Sequence, residues 1–277
     1  MKRVFLLAHP AKHSVSAPMH NAAFKVLGIE AHYETLDVAP ESLRDVVEGL
    51  RAPDVFGSNV TVPHKLAVFP LMDELSEAAK SVGAVNTIIN KKGKLLGHNT
   101  DATGYVRALE EDGKFSLKDK KILLLGAGGA ARAIVYAVLK AGCEKLAIYN
   151  RSQEKAQALV AEFAHLGRLE ALSELTEMLI TSDLVINSTS VGMEHNGIDP
   201  DESPLSQGLM PAHAFVSDIV YRPEKTRLLK DAEAAGLKFQ NGLPMLIYQG
   251  AESFECWTGK KPPIDLMFAA AREALRS

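Results

Sequence analysis

Lys121-Ile122-Leu123-Leu124-Leu125-Gly126-Ala127-Gly128-Gly129-Ala130-Ala131-Arg132-Ala133 is the stretch that decides the fold. A buried-type apolar strand runs straight into glycines, and the glycines into an alanine-rich helix. The spacing is G-x-G-x-x-A, with Ala131 at the third small position. In a strand–turn–helix setting this is the fingerprint of a dinucleotide site. Gly126 permits the tight turn and Gly128 lets backbone approach a pyrophosphate. The helix beginning near Gly129 and Ala130 offers unpaired N–H groups and the positive end of its dipole. A glycine turn that binds nothing remains the plainer alternative at this point.

The next strand bears on the choice of dinucleotide. It ends Ala147-Ile148-Tyr149-Asn150-Arg151-Ser152, with Lys155 a helical turn later. Units that bind NAD usually place an acid there, where it accepts from the ribose hydroxyls. Here Arg151 and Lys155 can instead embrace a 2′-phosphate, helped by Asn150 and Ser152. The competing reading makes Asn150 and Gln153 helix caps and leaves Arg151 solvated. The pattern favours NADP(H).

Outward from this unit the chain alternates short β-branched or apolar runs with helical patterns. Strands are expected at 122–125, 146–149, 184–187 and 215–219, with helices at 130–141 and 153–163. Upstream, strands are expected at 4–7, 32–36, 55–60, 85–89 and 95–97. Helices are expected at 18–27, 41–50, 75–82 and from Asp101 to about Glu111. Two helices, 246–257 and 266–275, close the chain. Such order implies an α/β protein with a mostly parallel sheet covered on both faces.

The 277 residues lean towards two domains at roughly 150 residues each. With 47% hydrophobic and 23% charged residues, intrinsic disorder is excluded. Lys plus Arg number 31 against 34 Asp plus Glu, a net charge of −3 that does not suit a dedicated nucleic-acid binder. No apolar run is long enough to span a bilayer, and the N-terminal one, Val4 to Ala8, is too short to serve as a secretory leader. Cys143 and Cys256 are the two cysteines, far apart and in no metal-binding pattern, which fits a reduced cytoplasm.

Polar residues cluster in the first hundred positions where core packing does not ask for them. His13-Ser14-Val15-Ser16 precedes a helix, and Ser16 alone reads as an N-cap. Asn59-Val60-Thr61-Val62-Pro63-His64-Lys65 is a strand that breaks at proline and delivers a lysine. Alone, Lys65 reads as a surface lysine. Gly83-Ala84-Val85-Asn86-Thr87 and Gly97-His98-Asn99-Thr100-Asp101 complete the set, Asp101 alone reading as another cap.

Taken in order, HSxS, NVTxPxK, GAVNT, GxNTD, GAGGAA, NRS, INSTSxGM, DIVYxPxxT and GLPMLxxQGAxSF resemble the shikimate dehydrogenase family over nearly the whole chain. The resemblance implies NADPH-dependent reduction of 3-dehydroshikimate to shikimate, in aromatic biosynthesis. It implies an N-terminal α/β substrate domain, 1–101 plus 242–277, and a Rossmann-type doubly wound NADP-binding domain, 102–241. The C-terminal helices return to the first domain and the active site lies in the cleft. By the same resemblance Lys65 and Asp101 are the catalytic pair, and Ser14 and Ser16 hold the carboxylate with help from Tyr221. Thr61, Asn86 and Gln249 take the ring hydroxyls. Gly126, Ala127, Gly128, Gly129, Ala130, Asn150, Arg151, Ser152 and Lys155 bind cofactor, and Ile219, Gly242 and Glu77 are carried over as further cofactor contacts. The implied partner is a small molecule, with neither nucleic acid nor membrane, in a monomer or homodimer.

The chain departs from the family pattern at three places. Proline follows Ser16 by two residues instead of one, Ala8 stands where glycine is favoured, and Lys155 stands where some members carry arginine. A lysine gives a point charge in place of a bidentate fork. Three alternatives stay open on sequence. They are an NAD-dependent quinate/shikimate enzyme, a non-catalytic nucleotide sensor of the same fold, and a folate-linked dehydrogenase of similar architecture.

Overall fold

The computed structural model describes residues 1–11, 14–175, 181–194, 199–205 and 209–276. It divides into two compact units, Met1–Gly104 with Leu246–Ser277, and Tyr105–Met245.

The first unit is built on a six-stranded sheet. Its strands are β1 (Lys2–Ala8), β2 (Ala31–Asp37), β3 (Val55–Val60), β4 (Glu74–Leu75), β5 (Thr87–Lys91) and β6 (Lys94–His98). The order is β2-β1-β3-β5-β6-β4. β1 pairs in parallel with β2 and β3, whereas β5 runs antiparallel to β3 and to β6, so this sheet is mixed. The β5–β6 hairpin turns at Lys92-Gly93, both with positive φ. Helices α1 (Ser16–Val26), α2 (Leu43–Gly49), α3 (Glu77–Val82) and α4 (Asp101–Arg107) belong to this half of the chain. A core of Phe5, Leu7, Val47, Val55, Val60, Ile88 and Leu95 packs on one face of the sheet.

The second unit holds a six-stranded sheet in the order β12-β11-β10-β7-β8-β9, parallel throughout. Its strands are β7 (Lys121–Leu125), β8 (Lys145–Tyr149), β9 (Leu169–Leu172), β10 (Leu184–Asn187), β11 (Phe215–Asp218) and β12 (Phe239–Gln240). Among the described helices are α5 (Gly129–Lys140), α6 (Gln153–Phe163) and α7 (Arg227–Ala234). Strand order reverses direction between β7 and β10, the point at which doubly wound sheets receive ligands at the carboxyl ends of their strands. α8 (Leu243–Thr258) begins in this unit and continues into the first, where α9 (Ile264–Arg276) packs against α1.

Several expected boundaries move for physical reasons. The helix expected from residue 75 starts at Glu77, because Leu75 pairs with Gly97 and the Ser76 hydroxyl accepts the Ala79 N–H to cap it. The strand expected at 85–89 is β5 at 87–91. Val85 gives its N–H to the Lys65 carbonyl instead of to a ladder. The helix from Asp101 reaches Asp112, its last turn a π-turn at Ala108–Asp112. β4, β9 and β12 carry no clear periodic signal in sequence, whereas α7, whose Leu228, Leu229 and Ala232 form one buried face, is amphipathic but not among the expected helices. The three strands are edge elements two to four residues long.

One buried group makes a pH-dependent contribution. His20 on α1 is wholly buried, stacked on Tyr33 at 4.5 Å, and neither ring nitrogen has a hydrogen-bond partner among the described residues. Burial pushes its pKa from 6.5 down to about 3. Between those values the unfolded chain takes up a proton that the folded chain refuses, so stability falls as pH falls below 6.5. Denaturation at pH 7.5 and pH 5 is expected to show wild type losing about 2 kcal/mol more than His20→Phe, which keeps a stacking ring and removes the titration. Parallel pH dependence of the two proteins overturns this.

Candidate active site

The turn after β3 carries the lysine. Thr61 gives its N–H to Leu7 at 3.0 Å and accepts the His64 N–H at 2.8 Å, while the His64 ring bonds the Val38 carbonyl at 2.8 Å. This pins a turn that would otherwise be a loose surface loop. Lys65 leaves it inward, its side chain only 13% exposed, and its ammonium donates to Asp101 Oδ2 at 2.6 Å. Asp101 is the first residue of α4, its side chain 5% exposed. The Asp101 N–H bonds Asn99 Oδ1 at 3.1 Å, and Asn99 is held by the Ala84 carbonyl at 3.1 Å. A charged pair buried this deeply is held together by geometry and by further donors.

Asn86 supplies the further donor. Its Oδ1 accepts the backbone N–H of Thr100 at 2.9 Å, which fixes the amide orientation, and its Nδ2 then donates to Asp101 Oδ1 at 2.8 Å. The same Nδ2 reaches Thr100 Oγ1 at 2.9 Å and Gln249 Oε1 at 3.3 Å. Gln249, on α8, packs against Gly104, where a Cβ would stand 2.7 Å from its backbone nitrogen. Lys65, Asn86, Asp101 and Gln249, more than 180 positions apart in sequence at the extremes, therefore meet in one buried polar cluster.

Ser14 and Ser16 stand together at the start of α1, the Ser16 N–H bonding Ser14 Oγ at 3.2 Å. Ser16 is the first helical residue and Val15 the capping one, with no side-chain cap bond. The cap reading of Ser16 is thereby corrected. Likewise Asp101 is within its helix. His13 lies outside the described residues. Glu77 is on the surface of the first unit, 88% exposed and paired with Lys80 at 2.8 Å.

In the second unit β7 leads into Gly126, whose φ of 108° favours glycine. A Cβ there would meet Ser188 Oγ at 2.7 Å and Thr189 Cγ2 at 2.9 Å, so the turn closes against the end of β10. Gly128 differs. It caps α5, and no protein atom lies within 4 Å of where its Cβ would be. Protein packing does not require glycine there, and the space above it is open. Ala127, Gly129 and Ala130 complete the turn into α5. Asn150 Nδ2 bonds the Ser152 carbonyl at 2.9 Å, and Ser152 caps α6 without a side-chain cap bond. The reading of Asn150 and Gln153 as caps is thus corrected. Arg151 and Lys155 are both exposed, with no acidic partner among the described residues.

The end of β11 is built around Asp218. Its carboxyl accepts from Thr226 Oγ1 at 2.7 Å, Val220 N–H at 3.0 Å and Asn187 Nδ2 at 3.0 Å. Burial nevertheless pushes it up to about 6, those hydrogen bonds opposing the shift. This fixes the turn carrying Ile219, Val220 and Tyr221. Gly242 bonds the Val220 carbonyl at 3.0 Å, and a Cβ on it would collide with the Ile219 carbonyl at 1.9 Å. Tyr221, half-buried, belongs to this unit, and the serines belong to the first.

Models of three segments match the chain. Residues 6–88 match a shikimate dehydrogenase substrate-binding domain, 108–196 a shikimate/quinate 5-dehydrogenase, and 242–272 a shikimate 5′-dehydrogenase C-terminal domain. A shikimate dehydrogenase (NADP(+)) of Geobacillus kaustophilus is 45% identical, covering all of both chains. The chain belongs to the shikimate dehydrogenase family. A second family member, from another Geobacillus strain, is also 45% identical over 98% of each chain. The shikimate 5-dehydrogenase of Thermus thermophilus, solved in complex with NADP(H) and shikimate, superposes with a TM-score of 0.90. It is 42% identical, covering 99% of this chain and 100% of that one. The two-domain α/β fold with a Rossmann-type unit is that of shikimate dehydrogenases.

Sequence reasoning does not mark Asn59, Thr87, Thr100 or Ser253 as site residues, yet all four are buried around the Asn86–Asp101 contact. The signal available was polarity out of place, as with Ser58 and Asn59 in a strand otherwise apolar.

Proposed function

We propose that this chain reduces 3-dehydroshikimate to shikimate with NADPH, reversibly, as a step of aromatic biosynthesis. The observation that carries the reading is the buried Lys65–Asp101 pair, aligned by Asn86. When bound, NADPH supplies the hydride. The ketone oxygen must gain a proton, and the Lys65 ammonium, held beside a carboxylate, donates or relays it and stabilises developing alkoxide charge. The two groups act as a unit. Ser14 and Ser16 hold the substrate carboxylate by charge-assisted hydrogen bonds, with Tyr221, and Thr61 and Gln249 take ring hydroxyls. Both Asn86 amide hydrogens already have protein acceptors, so its contact with a ring hydroxyl exchanges the 3.3 Å contact to Gln249.

The residues of the second unit fit NADP. Gly126 shapes the turn, Gly128 and the α5 N-terminus meet the pyrophosphate, and Arg151 and Lys155, with no acidic partner among the described residues, stand where an NAD site would carry an acid. Asn150 and Ser152 assist, and Ile219, Gly242 and Glu77 make the remaining cofactor contacts. The reading includes a cytoplasmic location, small-molecule ligands with neither nucleic acid nor membrane, and a monomer or homodimer. The near-balanced charge and the two separated cysteines support it, and no helix among the described residues is long and apolar enough to cross a membrane.

Shikimate oxidation measured with NADP and NAD side by side tests this. At least tenfold preference for NADP in kcat/KM is expected, ~1.4 kcal/mol in transition-state stabilisation. Arg151→Ala is expected to raise the NADP KM and leave NAD use nearly unchanged. Equal efficiency with both cofactors overturns the phosphate site, and activity on quinate with NAD alone overturns the substrate reading.

A further inference from the structure

Asn59 lies in β3, 5% exposed, in a strand flanked by apolar core. Its amide orientation follows from groups that have no choice. The Asn86 carbonyl, which only accepts, is 3.2 Å from Nδ2, so Oδ1 faces the other way and receives the Tyr33 hydroxyl at 2.9 Å. Nδ2 also reaches Ser253 Oγ at 3.0 Å and Thr87 Oγ1 at 3.3 Å. The Ser253 hydroxyl donates to the Gln249 carbonyl at 2.9 Å, and the Thr87 hydroxyl to Asn86 Oδ1 at 3.0 Å. Asn59 therefore restrains Asn86 twice, directly at its carbonyl and through Thr87 at its side chain. Asn86 in turn donates to Asp101 Oδ1 at 2.8 Å. The outer end of this ladder is the Tyr33 ring, lying 9° from parallel with His20.

We propose that Asn59 is a positioning residue for proton transfer, holding the Asn86 amide so that the Asp101 carboxylate presents Oδ2 to Lys65. The inference rests on the reading of Lys65 and Asp101 as the proton-transfer pair. Without Asn59, the Thr87 hydroxyl is free to turn to Ser253, 2.8 Å away, and Asn86 loses both contacts to Asn59, keeping the Thr100 N–H on its Oδ1 and the Val60 N–H on its carbonyl. A buried polar network with a missing member rearranges, and small displacements of a catalytic group cost rate more than affinity.

The test is steady-state kinetics of shikimate oxidation on the full chain, with Asn59→Ala, Tyr33→Phe, Asp101→Asn and the Asn59→Ala/Asp101→Asn double variant. Asn59→Ala is expected to lower kcat roughly tenfold with the shikimate KM changed less than about threefold. Placed on Asp101→Asn, it is expected to cost less than about twofold more, because the group it positions no longer carries charge. Tyr33→Phe keeps the stacked ring and removes the donor to Asn59. It is expected to lower kcat about threefold or more at unchanged NADP affinity. A kcat for Asn59→Ala within about twofold of wild type overturns the proposal, however early the variant melts. So does an undiminished loss on the Asp101→Asn background. If Asn59→Ala does not fold, a wild-type kcat for Tyr33→Phe overturns it. An Asp101→Asn variant with wild-type kcat overturns the underlying reading instead, which separates the two failures.

Discussion

Lys65→Ala is expected to lower kcat by roughly 10²–10⁴, the usual worth of a positioned acid or base. The variant removes the ammonium that donates to Asp101 at 2.6 Å and leaves the glycine turn, Arg151 and the serine pair untouched. NADPH binding, followed by cofactor fluorescence, is therefore expected to persist, and substrate affinity to fall only moderately. Asp101→Asn keeps the shape at the start of α4 and removes the charge, so kcat falls strongly there also. Because the two residues act as a unit, the double variant loses far less than the product of the single losses. A folded Lys65→Ala protein retaining more than about a tenth of wild-type kcat shows that the lysine is not the proton donor. The family assignment then stands and the mechanism does not.

Ser14→Ala and Ser16→Ala are each expected to weaken shikimate binding by roughly 1.5–3 kcal/mol, one charge-assisted hydrogen bond apiece. The effect belongs in KM with kcat little changed, since carboxylate contacts are made equally in ground and transition states. NADP affinity is not expected to move. Ser16 makes no cap bond in α1, so its loss leaves the melting temperature nearly unchanged. Titration calorimetry of shikimate with a thermal melt of the same sample separates the outcomes. Normal binding with an early melt shows a structural serine and removes it from the site.

The amino-acid sequence by itself determined the four central strands of the second unit, β7, β8, β10 and β11, and its helices α5 and α6. Residues 121–133 specify strand, turn and helix within a dozen positions, and the apolar runs at 146–149 and 184–187 recur with parallel-sheet spacing. Local signals suffice there because each βαβ step is closed by neighbours in sequence. Gly126 is legible for the same reason, although only the fold shows that its missing Cβ makes room for Ser188 and Thr189.

In the first unit, motifs marked Lys65, Asn86, Asp101 and Gln249 without revealing what joins them. An isolated lysine after a strand reads as solvent-exposed. Burial beside Asp101 comes from a turn fixed by Leu7 and Val38, residues with no local relation to it. β4 pairs through a two-residue ladder, and the β3–β5–β6 arrangement makes the sheet mixed. No periodicity announces either, because strand partners are chosen by packing and not by propensity. The ladder from Tyr33 through Asn59 to Asp101 spans β2, β3, β5, α8 and α4. Only tertiary structure could decide it, since a buried amide's partners are whatever donors and acceptors the fold places within 3 Å or so.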